Sequence, residues 1–150
     1  MRPTLLALLV AFTLVTPGLA DGPVWLTDLA QAQVQAQATD RLVLVNFTGS
    51  DFCSSCIRLH KEVFPAKAFT DYAQKRLVLM VADFPIKAKQ SPALKAANAA
   101  LAKRFKVDGY PTLLLLTSDG KNLGEVEVDL VEPNAKDLVT AIEQLARKAK

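Results

Sequence analysis

The chain has 150 residues, 51% apolar and 22% charged, with 18 Lys and Arg against 15 Asp and Glu for a formal charge of +3. That balance describes a globular protein and excludes a highly charged disordered tail. It also excludes an electrostatic footprint for nucleic acid. Lys121, Arg147, Lys148 and Lys150 read as solvated surface, and no basic block with interleaved aromatics occurs.

The first twenty residues, MRPTLLALLVAFTLVTPGLA, place Arg2 before an apolar run from Leu5 to Val15. Pro17 and Gly18 break the run, and Gly18-Leu19-Ala20 puts small residues where a signal peptidase reads. The expectation is a signal peptide over 1–20, cleaved after Ala20, and export to a periplasmic or extracellular location. The run is too short for a comfortable membrane span, and no second one follows. The residue after the expected cleavage site is Asp21 and not cysteine, so no lipid anchor is expected. Residues 21–150 then form one domain, large enough to bury a core without covalent staples.

Trp25 to Asp40 reads as a helix capped by Thr27, with Leu29, Ala30, Val34 and Ala38 about one turn apart. Arg41 to Phe47 is β-rich and nearly all apolar, as suits a central strand covered on both faces. A turn over 48–51 leads into a helical pattern from Cys53 to Phe64, with Cys56, Leu59 and Val63 on one face; Pro65 interrupts it and 66–75 continues as a further helical piece. Arg76 to Asp83 is a second apolar strand. Ser91 and Pro92 then start a helix to about Phe105, Ser as cap and Pro in the first turn. Thr112 to Thr117 is a third strand, 118–121 a hairpin turn, and Glu125 to Leu130 a fourth strand. Asn134 to Lys148 closes the chain as an amphipathic helix carrying Leu138, Val139, Ile142 and Leu145. Strands joined by helical crossovers run parallel, and the hairpin adds antiparallel pairing. The order predicts an α/β fold: a mixed sheet of about four strands with helices on both faces.

Both cysteines of the chain lie in Asp51-Phe52-Cys53-Ser54-Ser55-Cys56. Such a pair can be a staple, a metal clamp or a redox switch. As a staple it achieves little, since a loop this short removes only about 2 kcal/mol of unfolded-state entropy. As a metal site it would recruit His60, the single histidine, to give Cys53, Cys56 and His60 without a visible fourth ligand. As a redox pair it is well placed, just after a buried strand and opening a helix. The N–H groups and dipole of a helix N-terminus favour an anion, so the Cys53 thiol is expected to ionise readily and attack, with Cys56, one turn deeper, resolving the mixed disulfide. Asp51 pulls the other way, because a nearby carboxylate raises a thiol's pKa. Asn46-Phe47-Thr48 matches the N-glycosylation pattern but falls inside the first core strand, where no glycan fits.

The stretch VNFTGSDFCSSCIRLHKEVF, followed at a distance by FKVDGYPTLLLLTSDGK, resembles the thioredoxin superfamily, and more narrowly the exported thioredoxin-like proteins with an FTGSDWCxxC-type motif. The resemblance covers roughly Trp25 to the end and implies a thioredoxin fold with thiol–disulfide oxidoreductase activity. It implies that Pro111 is cis and lies against the cysteines, and that Phe52, Tyr110 and Pro111 contact cysteine-containing protein substrates. No bound cofactor is implied, because the disulfide itself carries the two electrons. A reductase in an oxidising compartment needs recharging, and the resemblance points to a membrane electron donor of the thiol:disulfide interchange type. The chain departs from the pattern at three positions. Phe52 replaces a Trp, Asn46 stands where thioredoxins keep a buried acid, and Leu79 stands where a strand lysine is expected. Asn46 cannot act as a base, which favours slower reduction and leaves a non-catalytic binding module as an alternative to the enzyme. Uncharged Ser54 and Ser55 favour a reducing or intermediate potential.

Overall fold

The computed structural model describes residues 23–147. The expected signal peptide, Lys148 and Lys150 lie outside them. Five strands form one mixed sheet in the order β1-β3-β2-β4-β5. They are β1 (Trp25–Leu26), β2 (Leu42–Thr48), β3 (Leu77–Asp83), β4 (Thr112–Leu116) and β5 (Asn122–Glu125). The helices are α1 (Leu29–Thr39), α2 (Ser54–Arg58) running into a π-helical turn (Leu59–Val63), α3 (Lys67–Arg76), α4 (Pro92–Phe105) and α5 (Ala135–Ala146).

β2 is the central strand, parallel to β3 and antiparallel to β4. Its side chains alternate between two cores. Leu44 joins Leu59, Val63, Phe64 and Phe69 beneath the π turn, α3 and α5. Val43, Val45 and Phe47 join Ala32, Ala36 and Leu101 beneath α1 and α4. An apolar strand without alternation is therefore what a sheet covered on both faces requires. Helix α4 starts as its sequence dictates, Ser91 Oγ accepting from Leu94 N at 3.2 Å with Pro92 in the first turn.

Four expectations are corrected. The sheet has five strands rather than about four, because Trp25 and Leu26 pair with Leu79 and Met80 instead of opening a helix. Trp25 packs with one core and Leu26 with the other, on opposite faces of the sheet as neighbouring strand residues do. Consequently α1 is capped by Asp28, whose carboxylate accepts from Gln31 N at 2.9 Å, and not by Thr27. Its buried face is Ala32 and Ala36, while Val34 is 67% exposed. The last strand comes earlier than expected, at Asn122–Glu125, because Thr117 closes the preceding turn tightly: its N–H donates to Lys121 O at 2.9 Å and its hydroxyl accepts from Lys121 N at 3.0 Å.

Candidate active site

Cys53 is the N-cap of α2, in extended backbone geometry, and is half-buried; Cys56 is 3% exposed. The two are joined by a disulfide. Cys53 Sγ also accepts a hydrogen bond from Cys56 N at 3.2 Å, one of the N–H groups a helix start leaves free. The loop before it is closed by Cys53 N donating to Gly49 O at 3.0 Å. Gly49 has to be small: a Cβ there would come within 2.4 Å of the Phe52 ring, which lies across it.

Of the residues expected to contact substrate, Phe52 and Tyr110 lie together next to the motif. The Tyr110–Pro111 peptide is cis. Phe52, 44% exposed, meets Tyr110 edge-on at 6.4 Å between ring centroids, and Phe84 stacks on Tyr110 at 5.0 Å. Partial burial raises the Tyr110 phenol above its ordinary pKa, so it stays neutral across the physiological range. Nothing in the sequence marks Phe84 for this place beside Tyr110, which depends on the fold.

Two cross-ties hold the loop after β2 to the loop after β3. Ser50 donates from its N–H (3.0 Å) and its hydroxyl (2.6 Å) to the Asp83 carboxylate. Asp51 accepts from Ile86 N at 2.9 Å, Lys87 N at 2.7 Å and Ala88 N at 2.8 Å. The Ile86 and Ala88 bonds are the main reason its carboxyl lies below the usual aspartate range. The Asp51 charge, expected to weigh on the Cys53 thiol, is also engaged by three amides of the neighbouring loop. It also fixes Ile86, 72% exposed, beside the motif.

Because the folded-state pKa of Asp51 is depressed, its clamp stabilises the loop above the aspartate range and is lost only as pH falls through that lowered value. Amide exchange at Ile86, Lys87 and Ala88, corrected for intrinsic rates, is therefore expected to stay slow from neutral to mildly acidic pH. Asp51→Asn is expected to speed it several-fold at neutral pH, and NMR-detected exchange checks both.

Asn46 lies on β2 beneath Cys56, facing a cavity of about 440 Å³ that Thr48, Cys56, His60 and Asp83 also line. It is buried, and among the described residues its Oδ1 finds no hydrogen-bond partner. Its neighbour in register on β3 is Val81, not Leu79, which pairs with Leu44 and Trp25 in the core. The position facing Asn46 is apolar all the same. His60 shares the cavity but is exposed, and among the described residues no three His, Cys, Asp or Glu side chains converge as a metal site. The metal set of Cys53, Cys56 and His60 is thus not assembled in this arrangement.

A family model described as a thioredoxin-like domain matches residues 29–143. The chain belongs to the thioredoxin-like family. Among curated proteins of Chlamydia pneumoniae, this thioredoxin-like chain is similar to a disulfide bond reductase, DsbH, at 29% identity over 97 residues, covering 65% of this chain and 58% of the relative. It is also similar to a thioredoxin-related protein, DsbJ, at 26% identity over 130 residues, covering 77% of this chain and 37% of the relative. The chain thus spans little more than half of one relative's length and about a third of the other's. Of solved structures, the DsbH oxidoreductase superposes with a TM-score of 0.71 at 24% identity, covering 89% of this chain and 95% of that one. A Thermus thermophilus thioredoxin gives 0.61 at 21% identity, with 85% and 89% covered. At these identities the superpositions establish the thioredoxin fold and nothing finer. Among the described residues no helix is long and apolar enough to cross a membrane.

Proposed function

We propose that the protein is an exported thiol–disulfide oxidoreductase that reduces disulfides in cysteine-containing proteins. The observation that carries this reading is the asymmetry of the disulfide: Cys53 half-buried with an N–H aimed at its sulfur, Cys56 buried behind it. In the reduced protein the Cys53 thiolate keeps that N–H donor and is the accessible nucleophile. It attacks one sulfur of a substrate disulfide, forming a Cys53–substrate bond and releasing the other substrate sulfur as a thiolate that takes up a proton. Cys56 then loses its proton and attacks Cys53 Sγ, which restores the intramolecular disulfide and frees the second substrate thiol. Two electrons pass from the protein dithiol to the substrate, and no further cofactor is needed.

Phe52, Tyr110 and Pro111 form the substrate contact in this reading. The aromatic surface packs beside the substrate cysteine, and the backbone next to Pro111 faces an extended segment. The reductive direction is supported by the similarity to DsbH, a disulfide bond reductase, and by the uncharged Ser54 and Ser55. Export rests on the leader-like residues 1–20, with cleavage near Ala20, and a membrane thiol:disulfide donor would return the protein to its dithiol form.

The test is the reduction potential of the Cys53–Cys56 pair, titrated against dithiothreitol or glutathione. A value near about −270 mV or below is expected for a reductase. A value between about −180 and −120 mV would make the protein a disulfide donor or isomerase instead. No reversible two-electron couple would overturn the enzyme reading.

A further inference from the structure

The resolving step asks the buried Cys56 thiol to lose a proton where burial disfavours its thiolate. A proton acceptor must therefore stand within reach, directly or through water. Asn46 Oδ1 lies there without a partner and can accept a hydrogen bond from the thiol or from a cavity water, but an amide cannot take the proton away. The cavity, about 440 Å³, has room for several waters, whose share of liquid volume is about 30 Å³ each. Its ionisable lining, apart from Cys56, consists of His60 and Lys61 on the π turn and Asp83 at the end of β3. Asp51, on the adjoining loop, is committed to the 86–88 amides.

We infer that Asp83 accepts the Cys56 proton through cavity water. The inference rests on the exchange reading above. Lys61 is a cation and a poor acceptor. His60 lines the cavity but is exposed to solvent. Asp83 is the single carboxylate among the lining residues, is partly buried, and is held in place by the Ser50 N–H and hydroxyl. Its backbone is fixed as well, its carbonyl accepting from Gln90 Nε2 and the buried Asn98 Nδ2, each at 2.9 Å. The register that pairs Asn46 with Val81 pairs Thr48 with Asp83, so the carboxylate stands two residues along the sheet from the orphaned amide. When Cys56 attacks Cys53 Sγ, its proton moves to water and on to Asp83. It leaves again to the departing substrate thiolate or to solvent, so protons balance over the cycle.

The two chemical steps can be timed separately by stopped flow with a disulfide-containing peptide. Attack by Cys53 is followed in a Cys56→Ser background, and resolution by the decay of the mixed disulfide with Cys56 present. Asp83→Asn is expected to slow resolution roughly tenfold or more between pH 6 and 8, within the usual reach of positioned proton transfer. The defect should shrink as rising pH ionises the thiol directly, and added formate or Asp83→Glu should restore part of the rate. Attack should change less than about twofold. Equal slowing of both steps would show that Asp83 only positions the Ser50 loop, and would overturn the inference. So would an unchanged pH profile of resolution, or a profile lost in His60→Gln rather than in Asp83→Asn. Failure of the unmodified protein to form any Cys53 mixed disulfide would instead overturn the exchange reading itself.

Discussion

Replacing Cys56 with serine is expected to turn a transient exchange into a stable covalent complex. The half-buried Cys53 keeps the helix-start N–H that stabilises its thiolate, so attack on a substrate disulfide still proceeds. The serine hydroxyl cannot displace the substrate, and the mixed disulfide persists. Cys53→Ser, by contrast, leaves a thiol that is 3% exposed in the native protein and poorly reachable from outside. Turnover should then fall by at least on the order of a hundredfold, since the nucleophile itself is gone. Insulin or peptide-disulfide reduction measures the loss. Non-reducing electrophoresis with mass spectrometry identifies the trapped adduct at Cys53. Trapping by the Cys53→Ser chain at Cys56 would reverse the assignment of roles.

Phe64→Ala is expected to be the most damaging single change to the fold outside the disulfide. The ring is buried just after the π turn, 4.9 Å from Trp25 and 5.2 Å from Phe69 between centroids. It thus links the edge strand β1, the helix that follows the motif and the core beneath α3. Truncating a buried phenylalanine costs about 3–5 kcal/mol through lost transfer energy and the cavity left behind. Against a typical domain stability of about 5–15 kcal/mol, that is a large fraction. Denaturant unfolding of the oxidised protein gives the number. The Trp25 fluorescence should change with it, because the ring loses its packing partner.

Those two results draw on parts of the molecule that differ in how far they could be read from sequence. The central strand is legible because burial on both faces leaves Leu42 to Phe47 apolar at every position but Asn46. Helix α4 was legible from Ser91 and Pro92, which carry their own local chemistry. Cys53 and Cys56 announced themselves by spacing and by following a strand. The edge strand Trp25–Leu26 did not, because two residues carry no periodicity and its pairing with β3 is long-range. On helix α1 the expected Leu29 does pack against the core, but Val34 faces out and Ala32 and Ala36 are the buried pair, whose weak apolar signal goes with the small size that permits close approach to the sheet. The last strand was misplaced because a register irregularity at Leu115/Leu116 and Gly124 at φ +138° break the alternation that would reveal it. At the site, the cis Tyr110–Pro111 peptide is what the family resemblance implies. The Asp51 and Asp83 cross-ties span more than thirty positions in sequence, and nothing local to either end announces them.

Both margins of the sheet are short. β1 contributes two residues at one side, and β5 contributes four with an irregular register at the other. Neither presents the run of free backbone donors and acceptors on which a foreign strand could grow. For the cysteine-containing partners proposed above, margins this short offer an extended segment little backbone to pair with. The expected contact is therefore the sulfur and the few groups around it, and release after exchange is expected to need no sheet to be unzipped.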